Sequence, residues 1–401
     1  MLLNRERANE LMDRDGLDAL VAVSPDNVLY LSDFETDFLY DVPWVACAIL
    51  PRSPDITPIL IVTEIEIAAL LERPTWMPEV RTYYFDLYGG VLPVHTFNKD
   101  ASLRGEDIRI REAVSRLEEK PYIGLAGAVA VALKERGLDK VRLGFDDVRA
   151  AALFGDAVDH SRLCDASNTF IDIRMVKTPD EITILREAAK KNQAALQVAV
   201  GAIHEGATWQ DVVTAYEVSV VKQGARPFAS FNGAGLKSAG ASRIFKEYPI
   251  NRGDMICFDS MLKYRRYMGD MQRTAVLGQA PEKMERYWKA LSLGVDETYG
   301  ALRPGMSTRS LAERAVETVS KSGIPDFKLA FIHGVGLSHI ELPYIAGGKL
   351  GEFLLEENMT INMDMELHEI GFGGVFFEET MLLTRNGAER LYSLTRDLIR
   401  V

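Results

Sequence analysis

The fold is decided between Asp254 and Leu277. Asp254 to Leu262 reads DMICFDSML and Tyr267 to Leu277 reads YMGDMQRTAVL, two runs of strand composition on either side of a polar tip. A turn centred on Tyr264-Arg265 would set Asp259 directly opposite Asp270, with Cβ atoms about 4.5 to 5.5 Å apart. Like charges at that separation destabilise a sheet, and a bound cation removes the conflict.

The chain repeats the arrangement further on. In Ile361 to His368 (INMDMELH) the odd positions Ile361, Met363, Met365 and Leu367 are apolar, while Asn362, Asp364, Glu366 and His368 share the opposite face. A turn centred at Gly371, within Gly371 to Gly374 (GFGG), pairs Asp364 with Glu378. Between the hairpins, Phe331 to Pro343 (FIHGVGLSHIELP) holds two of the six histidines, His333 and His339, beside glycines that permit close approach. Acidic residues in strands more often face water. Four at matched positions beside HGVG make that the weaker reading. Asp259, Asp270, His333, Asp364 and Glu378 form an oxygen-rich set suited to two divalent ions, Mn, Fe, Co or Zn. Such pairs of ions polarise a carbonyl and supply a nucleophile from water at neutral pH.

In these motifs the sequence resembles the pita-bread metallohydrolase superfamily of creatinase, prolidase, aminopeptidase P and methionine aminopeptidase. The family's ligand series Asp, Asp, His, Glu, Glu matches at Asp259 and Asp270 with Arg273-Thr274 following, at His333-Gly-Val-Gly-Leu, at Asn362-Met363-Asp364, and at Gly374-Val-Phe-Phe-Glu378-Glu-Thr. The resemblance covers about residues 170 to 401 and extends more weakly to Ala19–Phe34 (ALVAVSPDNVLYLSDF). It implies an α/β (α+β) chain with a creatinase-type amino-terminal α/β domain followed by a pita-bread catalytic domain. It also implies a homodimer.

Four departures fall on the substrate side. The family's TIEP is Asn362-Met363-Asp364-Met365, so one ligand Glu is an Asp with a reach about 1.5 Å shorter, which the resemblance implies would weaken or empty one of the two metal positions. The peptidase HExP is Ile340-Glu341-Leu342-Pro343, with Ile340 in the place of the His and His339 one position early. Ser242 stands where a substrate-contacting His is expected. Glu366 and His368 add polar groups beyond Asp364. His339 is then the candidate general acid or base, since an imidazole titrates near neutral pH. Ser242, Ile340, Glu341 and Tyr344 are the candidate substrate contacts, and Phe231 and Phe372 further pocket aromatics. Lys237 and Arg243 are weaker candidates for a substrate carboxylate. Arg265 and Arg266 are expected at a solvated hairpin tip, and Arg273 behind the ligand strands.

Working outward, Asp180 to Val200 and Trp209 to Lys222 read as helices, and Phe228 to Ser242 as a Gly/Ala/Ser-rich loop. Met175 to Pro179 (MVKTP) marks a boundary dividing residues 1–175 from 176–401. The first part alternates helix and strand: Leu2–Asp15 and Gly16 as helix and stop, Asp18–Val23, Trp44–Leu50, Thr57–Val62 and Val141–Phe145 as strands, Glu64–Leu71 and Glu112–Glu119 as helices. It has no GxGxxG after a strand and no GxxxxGK[ST], which argues against a nucleotide site. Cys47, Cys164 and Cys257, without CxxC spacing, read as core thiols. The 401 residues carry 58 acidic against 46 basic side chains, a formal charge of −12 that disfavours nucleic acid. The apolar run Ile123–Leu133 falls short of the ~20 residues of a membrane span. No signal peptide is evident, and a cytoplasmic protein is expected.

The expected activity is a metal-dependent hydrolase opening an amide or C–N bond of a small or dipeptide-like substrate, without its family's usual peptidase histidines. The residues leave open a lyase of the dimethylsulfoniopropionate-cleaving type, a conventional Xaa-Pro peptidase, and a non-catalytic binding protein.

Overall fold

Thr178 shows how local chemistry sets an element. Its hydroxyl accepts the Glu181 N–H and the Glu181 carboxylate accepts the Thr178 N–H in return, a capping box with Pro179 at the first helical position. Helix Pro179–Gly201 follows. The computed structural model describes residues 1–87, 90–91, 95, 97–98, 102–231, 233–240, 247–328, 330–344 and 352–401. Two compact units divide it, Met1–Arg174 and Met175–Val401.

The first unit is built on a six-stranded mixed sheet. Its strands lie in the order Glu79–Tyr83, Ile59–Thr63, Ala46–Pro51, Ala19–Ala22, Leu143–Phe145, Leu163–Asp165. Ala19, Val21, Cys47, Ile49, Ile59 and Ile61 line one face and pack on Ala128, Val129, Ala132 and Leu133 of helix Gly124–Glu135. The apolar run Ile123–Leu133 is therefore a core helix. Among the described residues no helix is long and apolar enough to cross a membrane. Cys47 and Cys257 are buried, whereas Cys164 is half-buried.

The second unit holds two four-stranded sheets, each backed by two helices. One sheet is ordered Ile399–Arg400, Tyr267–Val276, Met255–Tyr264, Arg226–Phe231, and helices Pro179–Gly201 and Trp209–Lys222 pack on it. The other is ordered Ala330–Gly334, Thr360–Glu369, Gly373–Thr384, Gly387–Arg390, backed by Glu282–Ala301 and Thr308–Lys321. Alternation sorts the side chains. Ile361, Met363 and Met365 join the core beneath the second pair of helices, and Ile256, Phe258 and Leu262 join that beneath the first. The intervening polar positions are thereby turned toward the opposite sheet.

Two expectations change here. Arg226–Phe231 is an edge strand paired with Met255–Tyr264, not part of a loop, because that sheet would otherwise end on the central hairpin. The first hairpin turns on Arg265-Arg266, both left-handed at φ 47° and 68°, so Tyr264 pairs with Tyr267. Asp259 therefore lies opposite Gln272 and Asp270 opposite Met261, and the two aspartates are diagonal neighbours rather than a facing pair. The second hairpin pairs Asp364 with Glu378 as its sequence suggests.

Candidate metal centre

Five side chains meet between the inner faces of the two sheets. Asp259 and Asp270 come from the first hairpin, Asp364 and Glu378 from the second, and His333 from the neighbouring strand Ala330–Gly334. All five are buried, with His333 at 0% and Asp270 and Glu378 at 1% exposure. His333 Nε2 stands 3.4 Å from Asp364 Oδ1 and 3.8 Å from Glu378 Oε1. Three overlapping triads have ligand atoms within 4.8 Å of one another: Asp259, Asp270 and Glu378; His333, Asp364 and Glu378; Asp270, His333 and His339. Donors that share one ion through bonds of about 2.0–2.2 Å stand at most roughly 4.4 Å apart, so small side-chain shifts suffice to close each triad.

The electrostatics call for a cation. Burial pushes the Glu378 carboxyl well above the ordinary carboxylate range, and Asp270, Asp364 and Asp259 push it further. Burial alone would lower the His333 imidazole, but Asp364 and Asp270 outweigh it and carry it to about 9. Asp270 Oδ1, Asp364 Oδ1, Glu378 Oε2 and His333 Nε2 are buried without a hydrogen bond among the described residues. His333 Nδ1 lies 3.0 Å from the Gly334 carbonyl, which accepts its proton and leaves Nε2 facing the carboxylates, where an ion would take the place of the second proton. Orphaned oxygens around a directed imidazole are the donor set of a divalent transition ion, and the residues fit one.

A second layer fixes these donors. Arg273, fully buried, donates to the Glu378 backbone carbonyl at 2.6 Å and to the Glu379 carboxylate, and Arg390 holds the same carboxylate at 2.8 Å. This is the place expected for Arg273. The Asp270 carbonyl accepts from Thr380 at 2.8 Å and from Tyr392 at 2.6 Å. Asn362 donates through Nδ2 to Asp270 Oδ2 at 2.8 Å and to Glu378 Oε1, joining the two hairpins at their carboxylates.

A cavity of about 250 Å³ opens beside the centre, lined by Asp259, Gln272, Phe331, His339, Ile340, Asp364 and Glu366. His339 points inward, with Nε2 3.3 Å from Asp270 Oδ2 and its ring 5.5 Å from that of His333. Ile340 is 43% exposed on the wall and presents an alkyl group there. Glu366 accepts from Gln272 Nε2 at 2.6 Å and meets His368 Nε2 at 3.1 Å. The hydrogen bond to Glu366 raises the His368 imidazole above its ordinary value.

Other expected contacts lie elsewhere. Glu341 is no part of the cavity wall. It is buried against Lys177 Nζ at 3.1 Å, accepts the Ser338 N–H, and fills the space over Gly336 that a side chain would need. These contacts brace the histidine loop. Tyr344 is half-buried and not among the cavity-lining residues. Phe372 packs edge-on against Tyr287 at 5.7 Å, and Lys237 is exposed. Ser242 and Arg243 lie outside the described residues, as does the side chain of Phe231. Arg265 is exposed as expected at the tip, but Arg266 is buried. Gln272 and Phe331 were not singled out from sequence, although Gln272 shares its strand face with Asp270. Lys177 carries no local signal: its partner is 164 residues away.

Comparison with known proteins identifies the family and the fold. The sequence model described as "Metallopeptidase family M24" matches residues 183–385. The Xaa-Pro dipeptidase of Pyrococcus furiosus is 31% identical over 231 residues, 57% of this chain and 66% of that relative, just under two thirds of its length. Among solved structures, the Xaa-Pro dipeptidase from Bacillus anthracis superposes with a TM-score of 0.77 at 20% identity, covering 99% of each chain. The prolidase from Pyrococcus horikoshii gives 0.74 at 22% identity, covering 98% of this chain and 99% of its own. At these identities the structural likeness speaks for the fold alone.

Proposed function

The chain belongs to metallopeptidase family M24, and from that premise we propose that it is a metal-dependent hydrolase opening an amide or related C–N bond in a small, dipeptide-like substrate. The observation that carries the reading is the convergence of five ligand-type side chains on a cavity of about 250 Å³. Asp259, Asp270 and Glu378 would hold one ion, and His333, Asp364 and Glu378 a second. Bound there, Mn, Fe, Co or Zn would supply Lewis-acid polarisation of a carbonyl and activation of water.

The chain's own groups do the rest. Phe331 and Ile340 give the cavity an apolar wall that excludes water around the scissile group. Proton transfer to the leaving nitrogen falls to two wall groups, His339, and Glu366 backed by His368. With Ile340 where the family places a histidine, one hydrogen bond to the tetrahedral intermediate is missing, worth on the order of 3 kcal/mol. The cavity is smaller than the roughly 300–1,000 Å³ of drug-sized sites, which supports a small substrate. The division at residues 175/176, a homodimer and a cytoplasmic location belong to the same reading.

Chelator-stripped protein assayed on Xaa-Pro dipeptides and other small amides, with and without added Mn²⁺ or Co²⁺, tests it. Activity should vanish on stripping and return with metal. Hydrolysis in H₂¹⁸O should place one label in the product carboxylate. One observation favours a second reading: Glu366 adds a carboxylate to the wall that could remove a proton in a β-elimination. Turnover without label would replace hydrolysis with that chemistry.

A further inference from the structure

The third triad has no counterpart in the ligand series from which the centre was read. It joins Asp270 and His333, both already assigned, to His339. Resting on the metal-dependent reading, we propose that His339 is a sixth protein ligand, bound to the ion that His333 holds.

Three independent features converge on this. His339 Nε2 stands 3.3 Å from Asp270 Oδ2, with its ring edge-on to that of His333 at 5.5 Å. Asp270 Oδ2 already accepts from Asn362 at 2.8 Å, so the imidazole is not needed to satisfy it. The loop bearing His339 is fixed from behind, because Glu341 holds the Ser338 N–H and is itself held by Lys177. That anchoring limits drift of the ring away from the carboxylates.

The two sequence departures then explain one another. Asp364 in place of Glu withdraws one donor by about a bond length, roughly 1.5 Å. Moving the loop histidine one position, from 340 to 339, adds a donor on the same ion. An oxygen ligand weakened and a nitrogen ligand gained shifts the donor set from hard toward borderline, which favours Co²⁺ and Zn²⁺ over Mn²⁺. Bound in this way, His339 gives up the proton-transfer role assigned to it above, which then falls to Glu366 backed by His368 alone.

Co²⁺ is the probe. Chelator-stripped wild-type protein is titrated by calorimetry and by visible absorption, beside His339→Ala and His339→Cys, with circular dichroism to confirm folding. In His339→Ala one ion should bind weaker by on the order of 10-fold or more while the other is unchanged, and the visible bands of the weakened ion should shift. His339→Cys, whose sulfur stops roughly 2 Å short of where the imidazole Nε2 reaches, should recover binding only in part, and the thiolate-to-cobalt charge-transfer absorption it adds requires the side chain to face the ion. Wild-type preference should run Co²⁺ or Zn²⁺ before Mn²⁺. Unchanged affinity and spectrum in His339→Ala, with no charge-transfer band in His339→Cys, would overturn the proposal even if turnover fell. Wild-type protein that binds no Co²⁺, Zn²⁺ or Mn²⁺ would remove the metal-dependent reading and this one together.

Discussion

The two ligand-bearing hairpins use the same strand chemistry and differ at their tips. In the second, residues 370–372 form a three-residue connection with Gly371 at φ 90°, and Asp364 faces Glu378 directly. In the first, Arg265-Arg266 makes a two-residue turn with both residues left-handed, and Asp259 and Asp270 stand on the diagonal. Turn geometry sets register, whereas alternation sets the face. Moving the turn by one residue changes the partner of Asp259 by two positions, from Asp270 to Gln272, which lies on the same face. Both hairpins therefore point their acids into the centre even though their pairings differ.

The largest test asks whether direct pairing makes the second hairpin the more important. Glu378 belongs to two of the three triads and Asp259 to one. Glu378→Ala should abolish binding of both ions and lower kcat/KM by on the order of 10³-fold, about 4 kcal/mol of barrier. Asp259→Ala should leave one ion bound. Metal analysis of the two purified variants decides it, and equal metal content in both would contradict the assignment of Glu378 as the shared ligand.

The next test breaks the hairpins apart mechanically. Arg273 reaches from the first hairpin to Glu378 and Glu379 on the second, and Arg390 shares the Glu379 carboxylate, all with Arg273 and Glu379 at 0% exposure. Glu379→Ala leaves the buried Arg273 guanidinium uncompensated, and removing one partner of a buried pair costs about 3–5 kcal/mol. Denaturant unfolding should show a loss in that range. A change below about 1 kcal/mol would mean that the hairpins hold their positions without the bridge.

A third test compares the braces. Glu341 supports the histidine loop as the partner of Lys177, while Glu181 supports the first hairpin by accepting from Tyr267 at 2.9 Å. Burial raises the Glu181 carboxyl to about 7, against the lowering effects of Lys177, the Thr178 N–H and Tyr267. The folded state thus keeps a proton that the unfolded chain releases near 4.5. Its contribution is fully present below about 4.5 and is lost as pH rises to about 7. Glu181→Gln should remove that part of the pH dependence, worth up to roughly 3 kcal/mol between the two limits. Unfolding free energies of both proteins across pH 4 to 8 measure the difference, and parallel curves would contradict it.

The same contrast explains what could be read from sequence. Period-two alternation carries its own evidence within a strand, so Ile361, Met363 and Met365 announce the buried face and Asp364 the inner one. Gly371 announces its turn because glycine tolerates φ of 90°. Arg265-Arg266 announces nothing, since such turns favour Asn-Gly. The strand Arg226–Phe231 hid among Gly, Ala and Ser because an edge strand borrows its order from its neighbour. The bracing contact of Glu341 is silent in the motif that contains it, because a motif records position along the chain, while Lys177 is brought near only by the fold.

The smallest test therefore addresses the silent turn. Two consecutive non-glycine residues in the left-handed region carry a backbone cost of roughly 1–2 kcal/mol each. Arg266 is buried, so its stem offsets part of that cost, whereas Arg265 is exposed at φ 47° and has less to lose. Asn adopts this conformation more readily and is preferred at the first position of such turns. Arg265→Asn should then stabilise the protein by about 0.5 kcal/mol without altering metal content or kcat/KM. The effect is small because one torsional preference changes while the strand pairing does not. A loss of metal would show that the turn residue influences register after all, since only a shift of Asp259 against Gln272 could carry a change at the tip down to the centre.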